Sequence, residues 1–217
     1  MKLERMNDFF AARVTGYDEH MRTTIEGASD FYAYTASQLP PEKGARVLDL
    51  GCGTGLELEE YFLLNPEADV TGIDLSEAML NALKEKLPER RIRLILGSYF
   101  DVPFEENKYD AAVSVESLHH FPAGQKEMLY RKLHAALKDS GFFVLTDYFA
   151  ESEELEKEYF ENLAQMKKEQ DLPEDIFFHY DTPLTAEHET EILLRAGFSE
   201  VRIMKEWGTT LTLIAKR

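Results

Sequence analysis

Residues 46–55, Arg-Val-Leu-Asp-Leu-Gly-Cys-Gly-Thr-Gly, set a carboxylate and three alternating glycines at the point where a short apolar run stops. Val47, Leu48 and Leu50 read as a buried strand that carries Asp49 near its end, and the helix-like Leu-Glu-Leu-Glu-Glu-Tyr-Phe follows at once. Glycines at such a junction let a ligand lie against bare backbone at a helix N-terminus, where unpaired N–H groups point outward. The spacing narrows the ligand. A dinucleotide loop needs Gly-x-Gly-x-x-Gly, and Leu56 stands where the third of those glycines would fall. Asp49 precedes the glycines, where it would repel a pyrophosphate and attract an ammonium or a sulfonium.

Ligands of open α/β sheets collect at the carboxyl ends of the strands, so each strand end can be read for a contact. The run 69–73 leads to Asp74, whose carboxylate can accept from two ribose hydroxyls and also suits the first turn of a helix. Leu75 follows it. The run 92–96 leads to Gly97, Ser98, Tyr99 and Phe100, and 109–115 ends at Val115 before Glu116 and the pair His119-His120. The run 141–147 ends at Asp147, followed by Tyr148. His119, His120, Asp147, Glu116 and the more distant His179 are the groups that could move a proton, although no constellation singles one out. Two neighbouring histidines point in different directions along a chain and are poor evidence for a metal. A hydrogen-bonded structural role is the plainer expectation for them, and no metal is expected.

In these motifs the chain resembles the class I S-adenosylmethionine-dependent methyltransferases, over about residues 46–150 and more loosely beyond. The resemblance implies S-adenosyl-L-methionine as cofactor and a Rossmann-like α/β fold. That fold is doubly wound, with seven mostly parallel strands, an antiparallel last strand, helices on both faces and a helical lid. It also implies roles for particular residues. Gly51 and Gly53 would cradle the methionine part, with Asp49 orienting the loop or meeting the ammonium through water. Asp74 and Leu75 would lie at the ribose, Ser98 and the Tyr99 amide at the adenine edge, and the Val115 backbone near the methionine moiety. Ser98 departs from the family's aspartate at that position, and its hydroxyl can still bond an adenine edge. Asp101, three residues on, is expected at the surface. Tyr17 and Arg22 match an aromatic and an arginine in the lid of similar enzymes, where a guanidinium suits the cofactor carboxylate; His20 and Arg13 are the alternatives.

The activity so implied is transfer of a methyl group to a small-molecule acceptor. A nicotinamide oxidoreductase is disfavoured by Leu56. A non-catalytic cofactor-binding protein accords with Ser98 and the lack of a clear base. An enzyme that modifies the cofactor itself would want an arginine facing the methyl group, and no such residue is identifiable.

These residues need a scaffold. Alternating strand and helix signals over 46–150, with helices at 55–64, 76–87 and 126–138, imply a parallel sheet with right-handed crossovers. In the third helix Leu129, Leu133 and Leu137 line one face, with Lys138 and Gly141 at its end. A helix from Thr185 to Ala196 then precedes a strand from Phe198 and a final strand from Thr210, antiparallel because the turn between them is short. The 217 residues read as one domain, 1–217. Its parts are a helical lid at 1–40, the core at 46–150, an acidic helical insertion at 151–182 and a C-terminal helix and hairpin at 183–217. The lid and the insertion lie outside the cofactor core and should roof the acceptor pocket. The formal charge of −17 argues against a broad nucleic-acid-binding face. Residues 151–175 contribute ten acids and three bases, with Leu155, Tyr159, Leu163 and Met166 at helical spacing. There is no membrane-length apolar run and no signal-like N-terminus, and the single cysteine, Cys52, cannot form an internal disulfide. A cytoplasmic monomer or homodimer is the expectation.

Overall fold

The computed structural model describes residues 2–173 and 176–217; Glu174 and Asp175, at the end of the acidic run, lie outside the described residues. Three helices come first, α1 (Met6–Arg13), α2 (Tyr17–Thr24) and α3 (Ala28–Ser37). The core alternates β1 (Arg46–Leu50), α4 (Leu56–Leu64), β2 (Asp69–Asp74), α5 (Glu77–Lys86), β3 (Arg91–Leu96), β4 (Tyr109–Val115), α6 (Ala123–Ala136) and β5 (Leu137–Tyr148). The acidic helix α7 (Glu153–Glu169), α8 (Ala186–Arg195) and the hairpin β6 (Glu200–Trp207) and β7 (Thr210–Lys216) complete the chain.

The sheet runs β3-β2-β1-β4-β5-β7-β6. Neighbours from β3 to β5 are parallel, and β7 is antiparallel to both β5 and β6. Strand alternation sorts the side chains to two faces. Val47, Val70, Ala111 and Val113 join Phe31, Leu58, Tyr61 and Leu83 of α3, α4 and α5. Leu48, Leu50, Ala112 and Phe143 join Leu129, Leu133, Ile192 and Leu193 of α6 and α8. Order reverses between β1 and β4, and the crevice at that switch point is where an open α/β sheet receives a ligand.

Three helix starts follow from local sequence. Ser76, Ser152 and Thr185 are N-caps whose side-chain oxygens accept from Met79, Leu155 and His188 N–H groups. One expectation fails. The helix read as 126–138 spans Ala123–Ala136, and Leu137 is an extended, fully buried residue that opens β5 opposite Tyr109. The β4–β5 register then jumps from Leu137 to Phe142, so Lys138 through Gly141 form an irregularity in a strand. The leucine period of four continued past the helix because the next buried strand residue is also a leucine.

Candidate functional site: two adjoining cavities

The carboxyl ends of β1, β2, β3 and β4 form a cleft lined by Gly51, Gly53, Asp74, Leu75, Gly97, Ser98, Tyr99, Val115, Glu116 and Ser117. Met6, Phe10 and Tyr17 of the N-terminal helices cover it, together with His120, Phe121 and Phe177. Gly51 and Gly53 have φ of 79° and 48°, a left-handed conformation in which a side chain is strained. A Cβ on Gly51 would also collide with the Ser117 side chain. Gly53 N–H and Ser76 N–H donate to the two Asp74 oxygens at 2.9 and 2.8 Å. Each oxygen keeps a lone pair for a further donor. Asp74 therefore ties the glycine loop to the start of α5 while facing the cleft.

The loop after β3 is fastened from a distance. Lys132 on α6 donates to the carbonyls of Tyr99, Phe100 and Val102 at 2.6, 2.9 and 3.0 Å. Ser98 Oγ accepts from Phe100 N–H at 3.2 Å, and Asp101 is exposed. Asp49 does not line the cleft. It lies 1% exposed behind the glycine loop, on the α4 side of the sheet, and neither of its carboxyl oxygens has a hydrogen-bond partner among the described residues. Burial raises its pKa well above the ordinary value, and the neighbouring Glu57 carboxyl adds to this. Burial also pushes Glu57 up to about 7. Two carboxyls facing each other away from water cannot both ionise readily, so the pair retains a proton.

The lid helix α2 is anchored by charge. Thr54 Oγ1 donates to Asp18 at 2.5 Å, and Lys86 pairs with Asp18 and with Glu59. Arg22 joins this group, 3.0 Å from Glu59 and 3.7 Å from Glu60. The two acids of α4 hold Arg22, and it lines neither this cleft nor the cavity that adjoins it. No arginine or lysine lines the cleft among the described residues. Tyr17 does line it.

A second cavity of about 770 Å³ adjoins the first and shares Phe10, Tyr17, Glu116 and His120 with it. Its walls come from α1 and α2 (Phe9, Arg13, His20, Met21), from Tyr148, from His179 and Asp181, and from the hairpin (Trp207, Thr209, Thr210). The acidic helix α7 contributes no lining residue; only the segment after it does. The 3-10 turn Leu118–His120 turns both neighbouring histidines into this region, with ring centroids 4.0 Å apart. The expected divergence of adjacent side chains fails here because the chain is coiled rather than extended.

Asp147 lies beneath the turn. It accepts from Leu118 N–H at 2.8 Å and Tyr148 N–H at 2.9 Å and contacts His119 Nδ1 at 2.5 Å. Burial opposes charging of both groups. The imidazole–carboxylate contact prevails, raising His119 well above and Asp147 below their ordinary values. Burial lowers His120, and it lowers His179 to about 4. Burial pushes Glu116 up to about 7 against the attraction of His119. Glu116 also has a φ of 49°, the kind of strain that functional sites retain. Asp147 acts through His119 and lines neither cavity.

Sequence reading missed Met6, Phe177, Ser117, Lys132 and Asp181. Met6, Phe177 and Asp181 belong to segments far along the chain from the motifs, and no local pattern marks them. Ser117 lay inside a motif but announced itself only through its closeness to Gly51.

Known proteins agree on what this arrangement is. A family model described as a methyltransferase domain matches residues 47–141. The carboxy-S-adenosyl-L-methionine synthase of Wolinella succinogenes is 30% identical over 191 residues, which covers 82% of this chain and 78% of that protein. Haemonchus contortus phosphoethanolamine N-methyltransferase 2, solved in complex with S-adenosyl-L-methionine, aligns with a TM-score of 0.69 at 20% identity. It covers 91% of this chain and 45% of its own. Human N-acetylserotonin methyltransferase, also solved with S-adenosylmethionine, gives 0.67 at 16% identity over 97% of this chain and 56% of its own. The two structures support the fold. This chain belongs to the class I S-adenosylmethionine-dependent methyltransferase family, an enzyme family whose cofactor is S-adenosyl-L-methionine.

Proposed function

We propose that the chain transfers the methyl group of S-adenosylmethionine to a small-molecule acceptor held in the second cavity. The observation that carries this reading is the pair of adjoining cavities that share Phe10, Tyr17, Glu116 and His120. Two features favour the first cleft for the cofactor. Gly51 and Gly53 present left-handed, side-chain-free backbone to the cleft, and Asp74 faces it with lone pairs to spare.

S-adenosylmethionine supplies an electrophilic methyl on a sulfonium. Asp74 and Leu75 take the ribose side, Ser98 and the Tyr99 N–H take the adenine edge, and Gly51, Gly53 and Val115 take the methionine side. Asp49 acts from behind the loop, through its influence on the ammonium. The chain's remaining work is to position the acceptor in line and to exclude water. Tyr17 and Phe10 form the partition where the methyl must cross. Glu116, His119 and His120 are the groups that meet a protonated acceptor, and Asp147 orients His119.

A second reading is favoured by the relative from Wolinella succinogenes, named as a carboxy-S-adenosyl-L-methionine synthase. Modification of the cofactor would need a cation opposite the methyl group. Arg13 is the arginine of the second cavity, but it pairs with Glu4 at 2.8 Å and lies over the Phe9 ring. Incubating the protein with methyl-labelled cofactor and a panel of phenols, amines and carboxylic acids, then analysing by mass spectrometry, separates the two. Demethylated cofactor with a labelled acceptor supports methyl transfer. A cofactor that gains a carboxylate, with no acceptor labelled, overturns it.

A further inference from the structure

The second cavity holds a group of side chains that methyl transfer from a sulfonium does not by itself require. His119 Nε2 lies 3.5 Å from Asp181 Oδ1, and His120 Nδ1 lies 3.3 Å from the same oxygen. The three donor atoms lie within 4.8 Å of one another. These separations are long for charge-assisted hydrogen bonds, which run at about 2.7–2.9 Å. They match the edges of a coordination polyhedron. A tetrahedral ion bound at about 2.0–2.1 Å to each ligand spaces its ligands by about 3.3–3.4 Å.

The tautomer of His119 points the same way. Its Nδ1 contacts Asp147 Oδ1 at 2.5 Å, and Asp147 is itself held by two backbone N–H groups. A carboxylate so placed accepts the Nδ1–H and leaves Nε2 as the ring atom that faces the Asp181 carboxylate. A proton on Nε2 or a metal ion between the two atoms satisfies both, and the ion takes the proton's place. A carboxylate behind a histidine is also the usual support of a metal ligand, fixing its ring and raising its basicity. His120 Nδ1 has the Tyr180 carbonyl at 3.2 Å, which serves its proton when no ion is bound. Both imidazoles are buried, and the Asp181 side chain is 48% exposed, so the fourth side of the site opens to the cavity.

We propose that His119, His120 and Asp181 bind a divalent transition-metal ion in the second cavity, with Asp147 as the carboxylate that positions His119. Two nitrogens, one oxygen and an open position suit zinc or a similar borderline ion. An ion there faces the acceptor and selects for one that offers an anionic oxygen, such as a phenolate, a carboxylate or a phosphate. The metal site stands on these side chains alone, and its test does not depend on methyl transfer.

The test is a titration of the metal-stripped full chain with Co²⁺, followed through its visible ligand-field bands, with Zn²⁺ as competitor. One equivalent of Co²⁺ should give bands of low coordination number, displaced by Zn²⁺. Asp181→Asn, at a half-exposed position, should remove them while circular dichroism shows the fold retained. Asp147→Asn should weaken binding about 10- to 100-fold, as for loss of a supporting carboxylate. His20→Ala, in the same cavity but outside the cluster, should leave the titration as in the parent. Absence of ligand-field bands in the parent overturns the proposal. So does binding of equal strength in the parent and in Asp181→Asn, which would mean that surface histidines alone hold the ion.

Discussion

At the residue scale two carboxylates divide the work around the glycine loop. Asp74 serves the backbone and the cleft together, since Gly53 and Ser76 N–H groups hold it in place. Asp74→Ala should weaken cofactor binding by about 1–3 kcal/mol, as for a lost hydrogen-bonded charge; calorimetric affinity for S-adenosylmethionine checks this, and an unchanged value removes the ribose assignment. Asp49 behaves differently because its buried neighbour, Glu57, is another acid. The raised pKa values of Asp49 and Glu57 lie above those of the unfolded chain. Their contribution to stability is therefore present at acidic pH and is lost as pH rises from the ordinary carboxylate range through about 7. Lys86 lowers Glu57, and Asp74 raises both groups. A bound ammonium favours the ionised pair, so cofactor affinity should rise over the same window. The cofactor-induced shift in melting temperature should accordingly be larger at about pH 8 than at about pH 5.5. A shift independent of pH would separate Asp49 from the ammonium.

At the element scale the lid is joined to the body by few bonds. Helix α1 has no side-chain N-cap. It is tied by Arg5 bridging to Phe178, by Met6 N–H to the Phe177 carbonyl at 3.1 Å, and by His179 N–H to the Glu4 carbonyl at 2.9 Å. Helix α2 adds the Asp18 contacts with Thr54 and Lys86. Segments with few buried contacts open at low free energy. Amide exchange in residues 5–24 should slow when S-adenosylmethionine is added, while α6 and α8 remain unchanged. Equal exchange in both states would argue that the lid does not respond to the cofactor. The helices were legible from their periods, and α5, α7 and α8 also from their caps Ser76, Ser152 and Thr185, whereas α4 and α6 have no side-chain cap. Helix α6 was misread at Leu137 because periodicity alone cannot tell a helix end from a buried strand start. The ion partners of Arg22 were illegible for a related reason. A helix position says nothing about which neighbouring charge will claim it, and Glu59 and Glu60 lie on another helix.

At the scale of the whole molecule, the face of the sheet opposite α4 is closed by α6 and α8, whose contact contains a buried charge. Lys126 Nζ lies 2.6 Å from Glu189, and Tyr130 donates to the same carboxylate. These side chains are almost fully buried. Lys126→Met leaves Glu189 with half its support and should cost about 3–5 kcal/mol. The double variant Lys126→Met, Glu189→Leu should recover most of that loss. Urea denaturation of the two variants checks the sign, and additive losses would show that the pair is not coupled. Lys132, six residues further along the same helix, reaches the loop after β3 from its side. Helix α6 therefore links the packing of α8 to the wall of the cleft.

The glycine run, the acid ahead of it and the acid closing the second strand lie within 26 residues. Local chain geometry at a strand–loop–helix junction carries their chemistry, so the cofactor could be read before any fold was known. The second cavity could not. Its walls come from residues 9–26, from the 116–120 turn, from 179–181 and from the hairpin at 207–210, and no spacing rule relates these segments. Packing alone brings Asp181 within 3.5 Å of two histidines and pairs Arg22 with Glu59 and Glu60. Long-range contact, where burial and charge pairing choose among many partners, decided the second cavity.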